Sequence, residues 1–328
     1  MKKLACVIAG LLLTGVCATS VLADDAVHLT FAHAMPQEES LFGYNSDEFK
    51  RIVEEKSEGS IVIDIFPSGQ LGTIAEYVSN IQNGTLDFAF AASSFVSNYC
   101  PEVTVFDLPF LFEDYDHVWE TLDGEVGEML NEKLEENGLL CPIWFGLGFR
   151  QVTTSDKHPI ETIEDFKGFR IRTMPSTIYQ ELFAALGADA VPMDVGELYT
   201  ALQQGTVDGQ ENPYNQIRSY GFQEVTPIIV KTEHSFSPCL FLMSPNVQTK
   251  LTEDQMAIIN EAIEECKGYF RDKTIEIEER DKDAILADGS CTLVESIEKK
   301  DLQDATASVY EKFPEYDEMV QIIRGLRE

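Results

Sequence analysis

The chain has 328 residues and a formal net charge of −33 at pH 7, from 57 acidic and 24 basic residues. Such a surface repels nucleic acid and anionic lipid, which argues against both as partners. It also repels an anionic ligand at long range, so any site for an anion must be local and built from a few cations.

Residues 1–23 have the organisation of a secretory signal peptide. Two Lys are followed by an apolar core and a small-residue end, which predicts cleavage after Ala23. The apolar run is short for a membrane anchor, and no second run long enough to span a bilayer follows it in the sequence. We therefore expect a mature secreted protein of residues 24–328, long enough for about two domains.

Five cysteines remain after the predicted cleavage, namely Cys100, Cys141, Cys239, Cys266 and Cys291. Their odd number permits at most two disulfides, and the sequence leaves open whether any forms. None has C-x-x-C spacing, so we predict no metal site, and nothing in the sequence predicts a cofactor. Two of the five, Cys141 and Cys239, lie in apolar runs that are typical of core residues.

Strand-like and helix-like segments alternate along the mature chain up to about residue 212. Apolar periodicity predicts strands at 27–33, 60–66, 86–91, 139–146, 149–155, 169–174 and 206–212. It predicts helices at about 41–53, 74–83, 176–186 and 196–203. This alternation indicates an α/β fold with βαβ units on a mostly parallel sheet.

From Thr252 onward the pattern becomes helical. Thr252 and Gln255 have the spacing of a capping box, and the segment that follows, to Ala287, contains no Pro and only Gly268 as a glycine. One helix of this length would be about 50 Å long and would brace two domains, whereas a pair of helices broken near Gly268 is an equal alternative. Two more helices are predicted at 301–313 and 315–326, separated by a proline.

Two segments contain the residues best suited to holding an anion. FKGFRIRTMPS (166–176) places Arg172 at the exit of a short apolar strand, where a guanidinium can hold a carboxylate through two parallel N–H···O bonds. QGTVDGQENPYNQ (204–216) places Asn212 after a second strand-like run, and Pro213 restricts the backbone that follows. Taken alone, Arg172 on an alternating strand would more often be a surface residue.

Together with other blocks, these segments resemble the solute-binding subunit of a tripartite ATP-independent periplasmic (TRAP) transporter, of the dicarboxylate-binding DctP type. The further blocks are IFPSGQLGTIAEYVSNIQNGTLDFAF (65–90), FDLPFLFEDYDHVWETLDG (106–124), residues 146–160, and GADAVPMDVGELYTALQQGTVDGQENP (187–213). The resemblance covers about residues 27–287. It implies a two-lobed α/β fold like that of periplasmic binding proteins, with hinge strands and a long helix spanning both lobes.

The resemblance also implies how the chain divides. Lobe one would comprise 24–148 and 238–277, and lobe two would comprise 149–237 and 278–310. The C-terminal helix, 311–328, would pack back on lobe one. Ligand would bind between the lobes, which would close on it.

Three residues match the family's carboxylate-binding positions. Arg172 matches the Arg that holds the carboxylate, and Arg150, in GFRQVT, matches a second Arg that often reaches the same ligand. Asn212 matches the Asn that donates to the carboxylate or orients it. For Arg150 the alternative is a salt bridge at the hinge.

Four further residues are expected near the ligand. Glu76 matches an acidic position near the far end of the ligand, although a solvated helix-face Glu is an even alternative. His33 lies where the first loop of the family lines the cleft, but a lone His is more often structural. Val195 stands where many relatives have an aromatic residue, so another ring, that of Tyr214, Tyr99 or Phe95, is expected to shape the cleft.

The implied function is capture of a small organic acid by a monomeric, extracytoplasmic subunit that delivers it to the membrane subunits of a TRAP permease. A sensor subunit that presents its ligand to a membrane kinase is the alternative. A periplasmic hydrolase is more remote, because the sequence contains no G-x-S-x-G elbow, no H-E-x-x-H and no phosphate loop. Two Arg and Glu76 favour a hydroxylated sugar acid over a plain dicarboxylate.

Overall fold

The structure is a computed structural model that describes residues 26–287 and 289–327. The predicted signal peptide, 1–23, lies outside the described residues. The strands are β1 Val27–Ala32, β2 Ile61–Phe66, β3 Phe88–Ala92, β4 Leu140–Phe149, β5 Gln151–Thr154, β6 Arg170–Thr173, β7 Asp189–Pro192, β8 Gly209–Asn212, β9 Ile228–Val230, β10 Phe236–Met243 and β11 Thr292–Val294.

Helices separate most of these strands, as the sequence predicts. They are α1 Leu41–Lys56, α2 Ile74–Asn83, α3 Tyr115–Asp123, α4 Glu125–Glu136, α5 Thr177–Ala185, α6 Val195–Gln204, α7 Tyr214–Ser219, α8 Val247–Lys250, α9 Glu253–Ala287, α10 Lys299–Thr306 and α11 Asp317–Gly325. Gly84 ends α2 in the left-handed conformation, with φ 75°, at the position predicted from Asn83-Gly84. The sequence did not predict α3 and α4.

The strands form two mixed sheets rather than one mostly parallel sheet. The first has the order β2-β1-β3-β10-β4 and the second the order β11-β9-β5-β8-β6-β7. In the first sheet β10 is antiparallel to both its neighbours, and in the second sheet β5 is antiparallel to β8 and β9. The prediction was wrong here because β5 and β10 each enter directly from the other sheet, without a helical crossover.

The two sheets are the centres of two lobes, and the chain passes between them at neighbouring points. Arg150 is the single residue between β4 in the first sheet and β5 in the second. Its backbone N–H donates to the carbonyl of Ser235 at 2.9 Å, in the segment that returns the chain to β10. Two short adjacent connections of this kind are the usual form of a hinge between lobes.

The α9 helix is continuous over 35 residues. The predicted capping box is confirmed, because Thr252 N–H donates to Gln255 Oε1 at 3.1 Å and Gln255 N–H donates to Thr252 Oγ1 at 3.2 Å. Phe270 packs on aromatic rings of the first lobe, whereas Glu278 accepts hydrogen bonds from α7 in the second. The long helix therefore spans both lobes, and the alternative of a break near Gly268 is wrong.

Residues 316–323 near the end of the chain pack against residues 104–117. The predicted helices at 301–313 and 315–326 correspond to α10 and α11, with 3₁₀ turns between them. His117 on α3 places Nε2 2.7 Å from the carbonyl oxygen of Ile323 on α11. The Tyr316 hydroxyl lies 2.8 Å from that of Thr104 in the first lobe.

Four cysteines of the core are not joined by disulfides in the part of the chain that the structure describes. Cys100, Cys141, Cys239 and Cys266 are buried free thiols, which suits the core role predicted for Cys141 and Cys239. Among residues 26–287 and 289–327, every helix is too short or too polar to cross a bilayer.

Candidate ligand-binding site between the lobes

A small cavity of about 10 Å³, enough for about one water molecule, lies between the two lobes. It lies at the carboxyl-terminal ends of β6 and β8, which are parallel neighbours in the second sheet. The first lobe contributes Phe42, Ile74, Ala92, Phe95 and Leu147, and the second contributes Arg172, Met174, Val195, Asn212, Gln216 and Tyr220. A crevice at the carboxyl ends of parallel strands is where α/β proteins usually bind their ligands.

Arg172 is the cationic side chain of this cavity. It is 1% exposed, and its Nε and Nη2 donate to the carbonyl oxygen of Met193 at 3.0 and 2.7 Å. No carboxylate forms an ion pair with it within the described part of the chain. Burial lowers the pKa of Arg172 to about 10, although the charge of Glu211 partly opposes this shift. A buried guanidinium without a counter-charge is costly, so this site favours an anion.

Asn212 lines the same cavity as Arg172, and hydrogen bonds to Arg150 and Gln210 fix its side chain. Arg150 Nη2 donates to Asn212 Oδ1 at 2.8 Å, and Asn212 Nδ2 donates to Gln210 Oε1 at 2.5 Å. Because an amide nitrogen carries two hydrogens, one N–H of Asn212 remains for a group in the cavity. The antiparallel pairing of Gln151 with Asn212 explains the contact, since Arg150 immediately precedes that pair.

Arg150 itself is fully buried and forms an ion pair with Glu211. Its Nε donates to Glu211 Oε2, its Nη2 donates to Oε1 at 2.9 Å, and its Nη1 donates to Ser237 Oγ at 3.3 Å. His234 Nε2 lies 3.2 Å from the same carboxylate. Burial disfavours the charged form of both side chains. The opposite charge of the partner favours it more strongly, so the pKa of Arg150 is raised and the pKa of Glu211 is lowered. The pair is neutral as a unit.

The predicted site residues therefore separate into two groups. Arg172, Asn212 and Val195 meet at the cavity, where Val195 is the first residue of α6. Arg150 lies behind Asn212, in the position of the predicted hinge salt bridge. Its direct contact with a ligand stays a prediction.

Glu76, His33 and Tyr214 do not line the cavity. The Glu76 carboxylate is at the surface and accepts the backbone N–H of Thr73 at 2.7 Å, closing the capping box of α2. The buried ring of His33 packs behind Phe42, with ring centroids 6.0 Å apart. Ligand contacts by these residues stay predictions.

Gln216 and Tyr220 line the cavity, and the sequence analysis did not propose them. Residues two apart on a helix point about 200° apart. On α7 this directs Tyr214 towards α9, where its ring lies 5.9 Å from Lys282 Nζ, and Gln216 towards the cavity. Of the three rings that the sequence proposed, that of Phe95 lines the cavity, whereas on α7 the helix geometry favours Gln216 over Tyr214.

One more polar group near the interface has no partner. The Tyr77 hydroxyl on α2 is buried and forms no hydrogen bond with the described residues. Burial, together with the charges of Asp194 and Glu76, raises the pKa of Tyr77 to about 12. It does not line the cavity.

Glu278 connects the long helix to the hinge. Its carboxylate accepts the backbone N–H groups of Tyr214 at 3.2 Å and Asn215 at 2.6 Å. Near the end of β4, Gly148 has φ +122°, and a Cβ there would lie 2.6 Å from the carboxyl carbon of Glu278, so this approach requires glycine. Burial raises the pKa of Glu278 to about 8.

We expect Glu278 to make folding more favourable in acid. An unfolded glutamate loses its proton near 4.5 whereas folded Glu278 keeps it to about 8, so between these values the folded state binds more protons. This contribution to stability is complete below the lower pKa and is lost as pH rises through the upper one. In urea unfolding, the free energy of unfolding of wild type minus that of Glu278→Gln should fall with rising pH by up to about 1.4 kcal/mol per pH unit in this window.

The exposed neighbour Glu279 on the same helix provides the control. Glu279→Gln should give a difference from wild type that does not vary over the same pH window. A difference for Glu278→Gln that is equally flat would contradict the assignment.

The fold and the cavity together define a two-lobed ligand-binding protein with a buried arginine, Arg172, lining the cavity between its lobes. The sequence profile of the bacterial extracellular solute-binding protein, family 7 (DctP), matches residues 31–316, and the chain belongs to this family. Over 304 residues it is 31% identical to the 2,3-diketo-L-gulonate-binding periplasmic protein of Escherichia coli (strain K12), covering 92% of each chain.

Solved structures agree with this assignment. A TRAP periplasmic solute binding protein from Polaromonas sp. JS666, bound to D-erythronate, superposes with a TM-score of 0.85 and 31% identity, covering 90% of this chain and 98% of that one. Another from Shewanella oneidensis, with bound succinate, has a TM-score of 0.87 and 26% identity, covering 92% and 100%.

These comparisons confirm three predictions. The chain is a TRAP-type solute-binding protein, its fold is the two-lobed α/β fold, and it is a binding protein rather than an enzyme. Proteins of this family are extracytoplasmic and work with membrane permease subunits. The hydrolase alternative is therefore set aside.

Proposed function

We propose that this chain captures a small organic-acid anion in the cavity between its lobes and delivers it to the membrane subunits of a TRAP permease. It acts as a periplasmic monomer after cleavage of the signal peptide following Ala23. One observation carries the proposal: Arg172 is buried at the cavity and forms no ion pair with the described residues. Relatives with bound D-erythronate and succinate support the choice of an organic acid.

The donors of Arg172 suggest how the carboxylate is held. Its Nε and Nη2 donate to the Met193 carbonyl. A guanidinium has five N–H donors, so the edge formed by Nη1 and Nη2 still has two hydrogens for two parallel bonds to a carboxylate. Asn212 supplies a third donor from its remaining amide hydrogen. Arg150 contributes by holding the Asn212 oxygen, which orients that donor.

Capture requires both lobes. The polar donors are on the second lobe and the opposite wall of the cavity is on the first, so a ligand touches both only when the lobes are together. A ligand that binds the closed arrangement better than an open one shifts the protein towards closure. Closure also removes the ion pair from water, which strengthens it.

A thermal-shift screen of organic acids tests this function. A ligand that binds only the folded protein stabilises it by about 2.7 kcal/mol at 100 times its Kd, which raises the unfolding temperature. We expect a carboxylic acid to produce such a shift, and the corresponding amide, which has no charge, to produce none. A panel in which acids and their amides behave alike would contradict a site built on Arg172.

A further inference from the structure

The cavity between the lobes is too small for an organic acid. It holds about one water molecule, so a ligand bound at Arg172 must part the two lobes slightly from the arrangement in the structure. Groups packed at the boundary between the lobes would then meet the ligand, in addition to those that line the cavity. A buried polar atom without a partner gains most from this, because a hydrogen bond to the ligand replaces the one that it lost to water on folding.

The Tyr77 hydroxyl is such an atom. The side chain is fully buried, and its hydroxyl forms no hydrogen bond with the described residues. Tyr77 lies on α2 one helical turn after Ile74, which lines the cavity. Residues three apart share a face of a helix, so Tyr77 lies on the side of α2 that meets the second lobe. Most buried phenol hydroxyls find a partner, which makes this one a candidate for a bond to the ligand.

Tyr220 connects this hydroxyl to the cation of the site. It lines the cavity from the C-terminal end of α7, on the second lobe. Burial raises the pKa of Tyr220, nearby Asp194 and Tyr77 raise it further, and the charge of Arg172 lowers it. Tyr220 is therefore close both to Arg172 on its own lobe and to Tyr77 on the other. A ligand held by Arg172 and extending past Tyr220 reaches the Tyr77 hydroxyl.

The charges around Tyr77 are negative. Burial, together with the charges of Asp194 and Glu76, raises the pKa of Tyr77 to about 12. Asp194 caps α6 and accepts the backbone N–H of Gly196 at 2.9 Å, and Glu76 caps α2. Both carboxylates disfavour a second carboxylate beside Tyr77. A neutral hydroxyl or carbonyl oxygen meets no such repulsion and can hydrogen-bond with a phenol.

We infer that Tyr77 is a ligand-binding residue of the first lobe and that its hydroxyl pairs with a neutral oxygen of the ligand. The site therefore selects a hydroxy acid over the unsubstituted acid and over the dicarboxylate of the same length. This inference rests on the proposed function, because Arg172 must hold the carboxylate for the rest of the ligand to reach Tyr77. It keeps the preference for a hydroxylated acid that the sequence suggested, but assigns it to a different residue, because Arg150 and Glu76 find partners within the protein.

Calorimetry with acids of matched length tests the selectivity, using mature protein refolded from denaturant to remove any bound ligand. The probes are the four-carbon acids butanoate, erythronate and succinate, and the six-carbon acids hexanoate and galactonate. We expect at least one hydroxy acid to bind about tenfold or more tightly than its unsubstituted partner and than succinate. If neither hydroxy acid binds more tightly than its partner, or if succinate equals the better of them, the inference is overturned and the proposed function stands. Absence of binding by all the acids would overturn both.

Tyr77→Phe provides the second test, because it removes only the hydroxyl. That hydroxyl forms no hydrogen bond with the described residues, so the variant should unfold in urea no more easily than wild type. It should reduce the preference for the hydroxy acid over its unsubstituted partner several-fold, with little change in affinity for the unsubstituted acid.

Tyr199→Phe is the matched control. It removes a phenol hydroxyl on α6 that donates to Glu224 at 3.0 Å and lies outside the cavity. This variant should leave the preference for the hydroxy acid unchanged. An unchanged preference in Tyr77→Phe as well would show that the ligand does not contact Tyr77, and would overturn the inference.

Discussion

Arg172→Ala is expected to abolish measurable binding of an organic acid while the protein remains folded. Truncating one partner of a buried, hydrogen-bonded charge pair costs about 2–5 kcal/mol, which is roughly 30-fold to several-thousand-fold in Kd. The ligand carboxylate would lose its counter-charge in the cavity between the lobes. Calorimetry and circular dichroism on the same preparation separate loss of binding from loss of fold.

Two matched variants sharpen this test. Arg172→Lys keeps the charge but replaces the planar fork by a point charge, so it should also bind poorly. Arg170→Ala removes an arginine two residues earlier on β6 that pairs with Asp208 and is partly exposed, so it should bind like wild type. Near wild-type affinity in Arg172→Ala would exclude Arg172 as the carboxylate-holding residue.

Breaking the ion pair between Arg150 and Glu211 should have the largest effect on stability. Arg150→Met leaves the Glu211 carboxylate buried without its main partner. Glu211→Leu leaves the Arg150 guanidinium buried without its counter-charge. Removal of one member of a buried pair typically destabilises a protein by about 3–5 kcal/mol. Urea unfolding of each single variant, at a pH near neutrality, gives the cost directly.

The double variant distinguishes an uncompensated charge from simple loss of packing. Replacing both members of a buried ion pair with apolar groups of similar volume is often close to neutral, so Arg150→Met/Glu211→Leu should be more stable than either single variant. Lys300→Met removes one member of an exposed pair with Asp304 and should leave the unfolding midpoint unchanged. Additive losses in the double variant would contradict the electrostatic explanation.

Ligand binding should respond to the same pair for a separate reason. Arg150 holds the Asn212 oxygen, so its removal frees the amide to rotate and weakens the orientation of the ligand-facing N–H. This predicts weaker binding even in a double variant that recovers its stability. The two roles of Arg150, in folding and in positioning Asn212, are therefore separable by measuring affinity and stability on the same variants.

Local sequence signals determined much of the fold. The capping box at Thr252 and the absence of Pro predicted a helix over the segment that forms α9, because these features act within one or two helical turns. Asn83-Gly84 predicted the end of α2 for the same reason. The position of Arg172 on a short strand, within blocks typical of one family, predicted the residue that the cavity presents as its cation.

Tertiary structure alone decided which polar groups remain available to a ligand. Arg150 and Glu211 are 61 residues apart, and only the antiparallel pairing of β5 with β8 brings them together and neutralises them. The Glu76 carboxylate finds its hydrogen-bond donor, the backbone N–H of Thr73, within the first turn of α2, so it closes a capping box at the surface. The apolar side chains that the first lobe contributes to the cavity come from helices, strands and turns far apart in the chain, and no local periodicity encodes their meeting. Charge and hydrogen-bonding capacity follow from the sequence, but the partner that satisfies each group depends on long-range packing.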